Sequence, residues 1–488
     1  QNLSVQRIYL VRPGQGEARE LTVDGHFSAL EWSPDGKKLI CASAPTSLVD
    51  DSYMSVTLSI VDVATMKVLS TIDHQGKKGD AQWSPDGTQI AFIAASDLND
   101  PTAGSLFVAP VTGGKPTILQ KDWEGMFEQI IWQDPGQVHF IGSTGAESVY
   151  GIIKTDAKSK PVFQSIEKGF AISHFELAAN GRGLFLADSY NHPTELFIEG
   201  AGQTAIKRMT DSNPVLKEIE FAKQEVVRYK AKDGLEIEGI LIRPLHEESG
   251  KKYPLITIVH GGPEAHFNNG WLTGYSNPGQ TGAAEGYAVF YPNYRGSNGR
   301  GVKFSLTSQG DPAGKEFDDV VDGVDYLIAT GLVDAAKVGV TGGSYGGYAT
   351  GWLSTRYSDR FAAGVMFVGI SNNVSKWGTT DIPKEEYLVH ARKWVYEDYD
   401  FFLKRSPVYY ADQCKTPLLI MHGEDDPRVH PGQSMELYRH IKSRTSTPVE
   451  LVFYPGEGHG NANSTARYDY NLRLMSWFDK YLKGIGKS

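Results

Sequence analysis

The sequence predicts a chain of two unlike parts, an all-β N-terminal region of β-propeller type followed by an α/β domain built on a doubly wound, mostly parallel sheet. Two observations carry this reading. A hairpin motif recurs through the first part at a spacing of roughly 50 residues. From about Gln224 onward, continuous apolar strands alternate with amphipathic helical stretches, the pattern of a parallel sheet covered on both faces. At 488 residues the chain is also too long for one ordinary core, and the change of grammar divides it into residues 1–220 and 221–488.

The repeat is seen first in Leu30-Glu31-Trp32-Ser33-Pro34-Asp35-Gly36 and again in Ala81-Gln82-Trp83-Ser84-Pro85-Asp86-Gly87. Each copy places an aromatic residue in a strand, then a Pro-Asp-Gly turn, then an apolar strand such as Ile90-Ala91-Phe92-Ile93. A degenerate third copy surrounds Trp132, and a fainter fourth runs from His174 to Gly181. One four-stranded sheet cannot bury its faces until neighbours pack beside it, so a repeated unit of this size reads as a propeller blade. Unrelated hairpins in a β-sandwich are the alternative. The repeated tryptophans read as packing residues.

In the second part the strand candidates are 254–259, 287–291, 337–341, 361–368, 417–421 and 449–454. Residues 317–329 form a helical pattern with Val320, Val321, Val324, Leu327 and Ile328 on its apolar side. Near the end Tyr468, Leu472, Met475, Phe478 and Leu482 recur at helical spacing, with Gly484 placed to stop the helix.

Composition narrows the function. The net charge of −10 disfavours nucleic acid or an anionic membrane as the main partner, and no apolar run approaches the length of a membrane span. The two cysteines, Cys41 and Cys414, cannot build a disulfide framework and are compatible with a cytoplasmic or an exported protein. The first residue is Gln1 rather than Met, which gives the expectation that an upstream segment is absent.

The chemistry lies in Gly342-Gly343-Ser344-Tyr345-Gly346-Gly347, a Gly-x-Ser-x-Gly nucleophile elbow directly after a strand. Such a turn exposes the serine hydroxyl at a helix N-terminus. A hydroxyl is a weak nucleophile and needs a base, and in the α/β-hydrolase fold the partners follow in the order Ser, Asp or Glu, His. Asp426 follows the strand ending near Met421, and His459 follows the strand ending at Tyr454. Catalysis is thus expected of Ser344, His459 as base and Asp426 as its orienting acid, with the backbone amides of Tyr345 and Gly262 as the oxyanion hole. No cofactor or metal is needed. His422, Glu424, Asp426 and His430 have irregular loop spacing that does not suit an ion; His260 and His422 read as loop-ordering residues.

Over roughly Gln224 to Lys483 the sequence resembles the prolyl oligopeptidase family of serine peptidases, especially its acylaminoacyl-peptidase and dipeptidyl-peptidase-like branches. The resemblance rests on Val259-His260-Gly261-Gly262-Pro263, Asn293-Tyr294-Arg295-Gly296-Ser297, the elbow, His422-Gly423-Glu424 with Asp426-Pro427-Arg428-Val429, and Gly458-His459. It implies a propeller that limits access to short peptide substrates, and it selects Asp426 over Asp425 as the acid. It makes Arg428 a contact for substrate carbonyls, with an ion pair as the equal alternative, and it makes Val429 and Ile370 walls of the first specificity pocket, with Asn373 as a polar wall. Relatives usually have more blades than the four seen here, so the propeller is expected to be incomplete at the N-terminus or else shortened. Exposed edges of a short array favour pairing with a second copy.

The expected activity is that of a serine peptidase forming an acyl-enzyme on short peptides. A carboxylesterase or amidase could use the same machinery. A non-catalytic propeller scaffold is the alternative from another class, and an intact triad argues against it.

Overall fold

The computed structural model describes residues 4–14, 16–21, 23–156, 160–164, 169–199 and 206–485. Among these, four antiparallel four-stranded sheets follow one another along the chain, beginning at His26–Trp32, Lys78–Trp83, Met126–Asp134 and Phe170–Leu177. Each is a meander in sequence order, and a short hairpin of Tyr9–Val11 with Ala18–Glu20 precedes them. Separate, sequential sheets are blades of a propeller-type domain, not two halves of a sandwich.

The repeated turn explains the repeated hairpin. Ser33 Oγ donates to Asp35 Oδ1 at 2.7 Å, and Ser84 Oγ does the same to Asp86 at 2.6 Å. In each copy the serine oxygen also accepts the amide that opens the next strand, at 2.9 Å from Lys38 N and from Gln89 N. Gly36 and Gly87 take φ of 66° and 68°, a left-handed conformation that disfavours a side chain.

Apolar side chains fill the seams between consecutive blades. Trp83 packs with Ile40, Leu58 and Ile60 of the first sheet and donates its indole N–H to Glu31 O; Trp132 packs with Ala91, Ile93 and Leu106 of the second. Trp32 departs from the expected packing role and is 47% exposed, because no four-stranded sheet precedes the first one among the described residues to cover it.

The second part is an eight-stranded sheet with helices on its faces. Its order is Gln224–Lys230, Glu236–Ile242, Ala288–Asn293, Tyr253–Val259, Val333–Gly343, Ala363–Phe367, Leu418–Gly423, Val449–Tyr454. The first two strands are antiparallel to their neighbours and the last six are parallel, so six carboxyl ends open on one edge. This is an α/β-hydrolase domain. The helix Lys315–Ala329 buries Val320, Val321, Val324 and Leu327 as its spacing demands. The last helix, Ser464–Phe478, is turned relative to the expected register: Tyr470, Leu474, Trp477 and Phe478 are buried, whereas Tyr468 and Leu472 face solvent. The buried set keeps the i, i+4, i+7, i+8 spacing of one face, on which Tyr468 and Leu472 do not lie. Gly484, at φ 75°, ends the final turn.

Candidate active site

Ser344 stands between the strand Val333–Gly343 and the helix Tyr345–Thr355, with φ 60° and ψ −120°. A non-glycine residue in that conformation is strained, and the neighbouring glycines show why the turn is so tight. A Cβ on Gly346 would lie 2.0 Å from Val259 O, and one on Gly342 2.4 Å from the same oxygen. The chain reverses against the adjacent strand with no room for side chains, and the serine is left projecting.

The loops after the last two strands supply the partners. His459 Nε2 lies 2.8 Å from Ser344 Oγ and Nδ1 2.6 Å from Asp426 Oδ2. Asp426 Oδ1 accepts the amides of Arg428 at 2.9 Å and Val429 at 3.1 Å, which fixes the carboxylate plane. His422 donates from Nε2 to Val429 O at 2.7 Å, with Asp426 Oδ2 3.2 Å away, and its Nδ1 meets Ser434 Oγ at 2.6 Å. Burial alone would raise the Asp426 carboxyl, but the hydrogen bonds from His422 and His459 hold it well below the usual range. Glu457 stiffens the histidine loop by accepting the amides of Ala462 and Asn463 at 2.6 and 3.0 Å.

The backbone that carries Gly262 passes directly against the serine, since a Cβ on Gly261 would lie 3.2 Å from Ser344 Cβ. Two motif segments hold this loop. Asn293 Oδ1 accepts Phe267 N at 2.8 Å and its Nδ2 donates to Phe267 O at 3.0 Å, while Tyr294 donates to His260 O at 3.0 Å. Arg295 is locked in turn by Asp319 and Asp233. His260 is stacked on Tyr294 and engaged at both ring nitrogens, and burial pushes it down to about 3. It orders the loop and is no base.

A cavity of about 320 Å³ opens beside Ser344 and His459, and Gly262, Tyr345, Ile370, Arg428 and Val429 line it. The structure therefore brings Ser344, His459, Gly262, Tyr345, Ile370, Arg428 and Val429 to one cavity, and the inward-facing Asp426 reaches it through His459. Arg428 is ion-paired with Asp381 at 2.6 Å and lies over the Tyr53 ring, so pairing and cavity lining coincide in one side chain. Asn373 does not form the expected polar wall. Its amide turns inward to Tyr348 Oη and Arg405 O, and Lys376, at the other end of the short helix Asn373–Lys376, reaches the cavity instead. A larger crevice of about 690 Å³, lined by Trp123, Glu238, Arg300 and Phe304, contains none of the candidate catalytic residues.

Sequence reasoning missed Tyr53, Lys77, Glu264, Ile382, Glu385 and Glu386, all of which line the cavity. Glu264 alone had a signal, its place directly after His-Gly-Gly-Pro. Tyr53 and Lys77 come from the first part of the chain, and the segment carrying Glu385 is held there by Asp50, whose carboxylate accepts the amides of Lys384 at 2.7 Å and Glu385 at 3.0 Å. Glu264, Glu385 and His390 place donor atoms within 4.8 Å of one another, but the Lys77 ammonium already contacts Glu385.

One buried acid stands behind the elbow. Burial pushes the Glu316 carboxyl up to about 8, and it accepts the Tyr345 hydroxyl and the Gly314 amide, each at 3.1 Å. Because the folded value exceeds the ordinary 4.5, the native state holds one more proton than the unfolded chain between about pH 4.5 and 8, so stability falls as pH rises through that window. Glu316→Gln, which can offer its carbonyl to Gly314 and its amide N–H to Tyr345, is expected to remove this slope. Urea midpoints at pH 5 and pH 8 should show the variant gaining on the wild type by on the order of 3 kcal/mol; equal pH dependence in the two proteins would refute it.

With this geometry in place, similarity to known proteins becomes informative. The model of the prolyl oligopeptidase family matches residues 274–484. The uncharacterized peptidase YuxL of Bacillus subtilis is 30% identical over 583 residues, covering 98% of this chain and 86% of that protein. The chain belongs to the prolyl oligopeptidase family. It is a serine peptidase. The dipeptidyl-peptidase 5 of Porphyromonas gingivalis is 26% identical over 470 residues, spanning 93% of this chain and 66% of that protein. Among solved structures, the acylaminoacyl peptidase of Pyrococcus horikoshii superposes with a TM-score of 0.73 at 21% identity, covering 99% of this chain and 86% of that one, which speaks for the shared fold. The YuxL alignment, at 583 positions, is longer than the 488 residues of this peptidase, so the relative carries internal segments with no counterpart here. No helix among the described residues of the peptidase is long and apolar enough to cross a membrane.

Proposed function

We propose that this serine peptidase cleaves short peptides through an acyl-enzyme on Ser344, with His459 as the base, Asp426 orienting the imidazole, and the amides of Tyr345 and Gly262 receiving the oxyanion. The observation that carries the reading is the pair of contacts in line, 2.8 Å from Ser344 Oγ to His459 Nε2 and 2.6 Å from His459 Nδ1 to Asp426 Oδ2. In the first step the imidazole takes the hydroxyl proton as Oγ attacks the acyl carbonyl; the new imidazolium then protonates the leaving amine, and water repeats the sequence on the ester. The Tyr345 amide opens a helix, where no intrahelical acceptor claims it, and the Gly262 backbone faces the same cavity.

The preference for short substrates is supported by residues of the propeller-type part at the cavity itself: Tyr53 and Lys77 close one side of it. We divide the chain at residues 220 and 221, between the last blade strand Ile206–Arg208 and the first hydrolase strand Gln224–Lys230.

A fluorophosphonate is expected to add once, at Ser344, and a set of peptide anilides should show turnover that falls as the peptide grows from a few residues to about thirty. Labelling with turnover of simple p-nitrophenyl esters but no peptide would favour an esterase or amidase, and absence of labelling would favour a non-catalytic scaffold.

A further inference from the structure

The two faces of the fourth blade have different surroundings. Phe175, Phe185 and Phe197 stand abreast on adjacent strands and are buried with Ile141 and Tyr150 of the third blade. The opposite face belongs to no apolar cluster of the described residues: Leu186 and Leu196 are each 37% exposed, and Leu184 and Ile198 are half-buried. Inside the array the equivalent face is covered. Counted from the turn that Ala178 N and Arg182 O close, as Ser84 N and Gln89 O close theirs, Leu184 and Leu186 correspond to Ala91 and Ile93 of the second blade. Leu196 and Ile198 then correspond to Leu106 and Val108, and all four of those side chains are buried with Trp132 of the third blade. A propeller blade is stable because a neighbour packs on each face, so the face of the fourth blade is a seam with one side exposed.

The strand alignment sorts this face into two rows. His174, Leu186 and Leu196 lie abreast in one, and Glu176, Leu184 and Ile198 lie abreast in the next. The rows complement each other. A two-fold axis running between them, across the strands, sets Leu186 over Leu184 of a second copy, Leu196 over Ile198 and His174 over Glu176, and makes every contact twice. Aliphatic side chains thus meet in the middle and an imidazole meets a carboxylate at the margin, the two groups that already lie 3.3 Å apart within one chain.

We propose that two copies of this chain pack their fourth blades face to face about such an axis, forming a reversible dimer with its hydrolase domains on opposite sides. The competing arrangement is head to tail, with Trp32 of one copy on the fourth blade of another in the place that Trp132 takes on the second. The position of the hydrolase domain decides against it. At the connection between the second and third strands of each blade, Asp50 accepts Glu385 N at 3.0 Å, Asn99 donates to Leu388 O at 3.1 Å, Gly145 N donates to Gly299 O at 2.7 Å and Asp188 accepts Trp271 N at 2.7 Å. The hydrolase domain therefore lies on one side of the array, against all four blades. A head-to-tail copy brings a second hydrolase domain to that same side, whereas a copy turned over by the two-fold carries it to the other. Size sets the strength: four strands about 4.8 Å apart and about seven residues long give a face of roughly 450 Å², and the pair buries roughly 900 Å² in total. That is below the ~1,200 Å² at which stable specific interfaces begin, so the dimer is weak.

Analytical ultracentrifugation of the full chain over about 1 to 300 μM tests this, with a reversible rise from the monomer mass toward twice that mass and half-dissociation at tens of micromolar as the expected result. Leu186→Lys combined with Leu196→Lys should raise the dissociation constant by about tenfold or more and leave the urea midpoint unchanged, because both side chains are exposed in the monomer. His174→Glu should also weaken the pair by setting like charges across the axis, and adding Glu176→His to it should restore the association. Trp32→Lys should leave the dimer intact. A single monomeric species at every concentration would overturn the proposal, as would a dimer that survives the double leucine substitution. Loss of the dimer in Trp32→Lys would replace the two-fold by the head-to-tail arrangement and overturn it as well. The concentration dependence of the wild type needs no variant, so a misfolded variant leaves the test in force.

Discussion

Replacing Ser344 by alanine is expected to lower kcat on a peptide anilide by roughly 10⁶-fold while KM and the urea unfolding midpoint stay near the wild-type values. The reasoning starts from the turn. Alanine tolerates φ 60° no better and no worse than serine, because both carry a Cβ, so the strain stored at the elbow is unchanged. The variant loses Oγ and with it the hydrogen bond to His459, an exchange that costs about 1 kcal/mol at most at a part-buried site. The cavity walls at Ile370, Val429 and Tyr345 do not involve the hydroxyl, so ground-state binding persists. What disappears is the proposed route to a covalent acyl intermediate, and the remaining acceleration would come from the proposed oxyanion amides and from positioning. Parallel measurement of kcat, KM and fluorophosphonate labelling checks this. A kcat within tenfold of wild type would mean that another residue attacks the substrate, and a lowered unfolding midpoint would mean that the elbow had been disturbed.

Much of this site could be read from the sequence because each candidate follows its own strand. Ser344, Asp426 and His459 all lie just past carboxyl ends of parallel strands, and a parallel sheet gathers those ends at one edge whatever the lengths of the intervening helices. The blades were legible for a similar local reason: Ser33 and Ser84 close the same five-residue turn, so the residues that make the hairpin are the residues that repeat. Tyr53 and Lys77 had no such signal. They reach the cavity because Asp50 and Asp51 of one part grip Lys384 and Glu385 of the other, and that packing joins residues more than 300 positions apart. Trp32 and Tyr468 show a second limit. Both satisfy a hydrophobic pattern, but burial depends on whether another element arrives to cover the side chain, and none of the described elements covers either.

Asp426→Asn is expected to reduce kcat by about 10⁴-fold with little change in KM, and the loss should not multiply with that of Ser344→Ala. The asparagine can keep its carbonyl toward the amides of Arg428 and Val429, which fixes the side chain and turns its NH₂ toward His459 Nδ1. That nitrogen must then accept, so the imidazole proton moves to Nε2, the atom that has to receive the proton of Ser344. The geometry survives and the tautomer is wrong. Acidity gives an independent check. Because the folded Asp426 is held well below the ordinary 3.8, its contribution to stability is fully present above that pH and is lost only as pH falls through the lower folded value. Protonation of Asp426 therefore cannot produce an acid limb in kcat/KM between pH 5 and 7, and any limb there belongs to another group. The double variant decides whether the three side chains act as a unit. If its kcat matches that of Ser344→Ala alone, Asp426 works only through the serine; a further 10⁴-fold loss would show that the aspartate has a separate task and would sink the triad assignment.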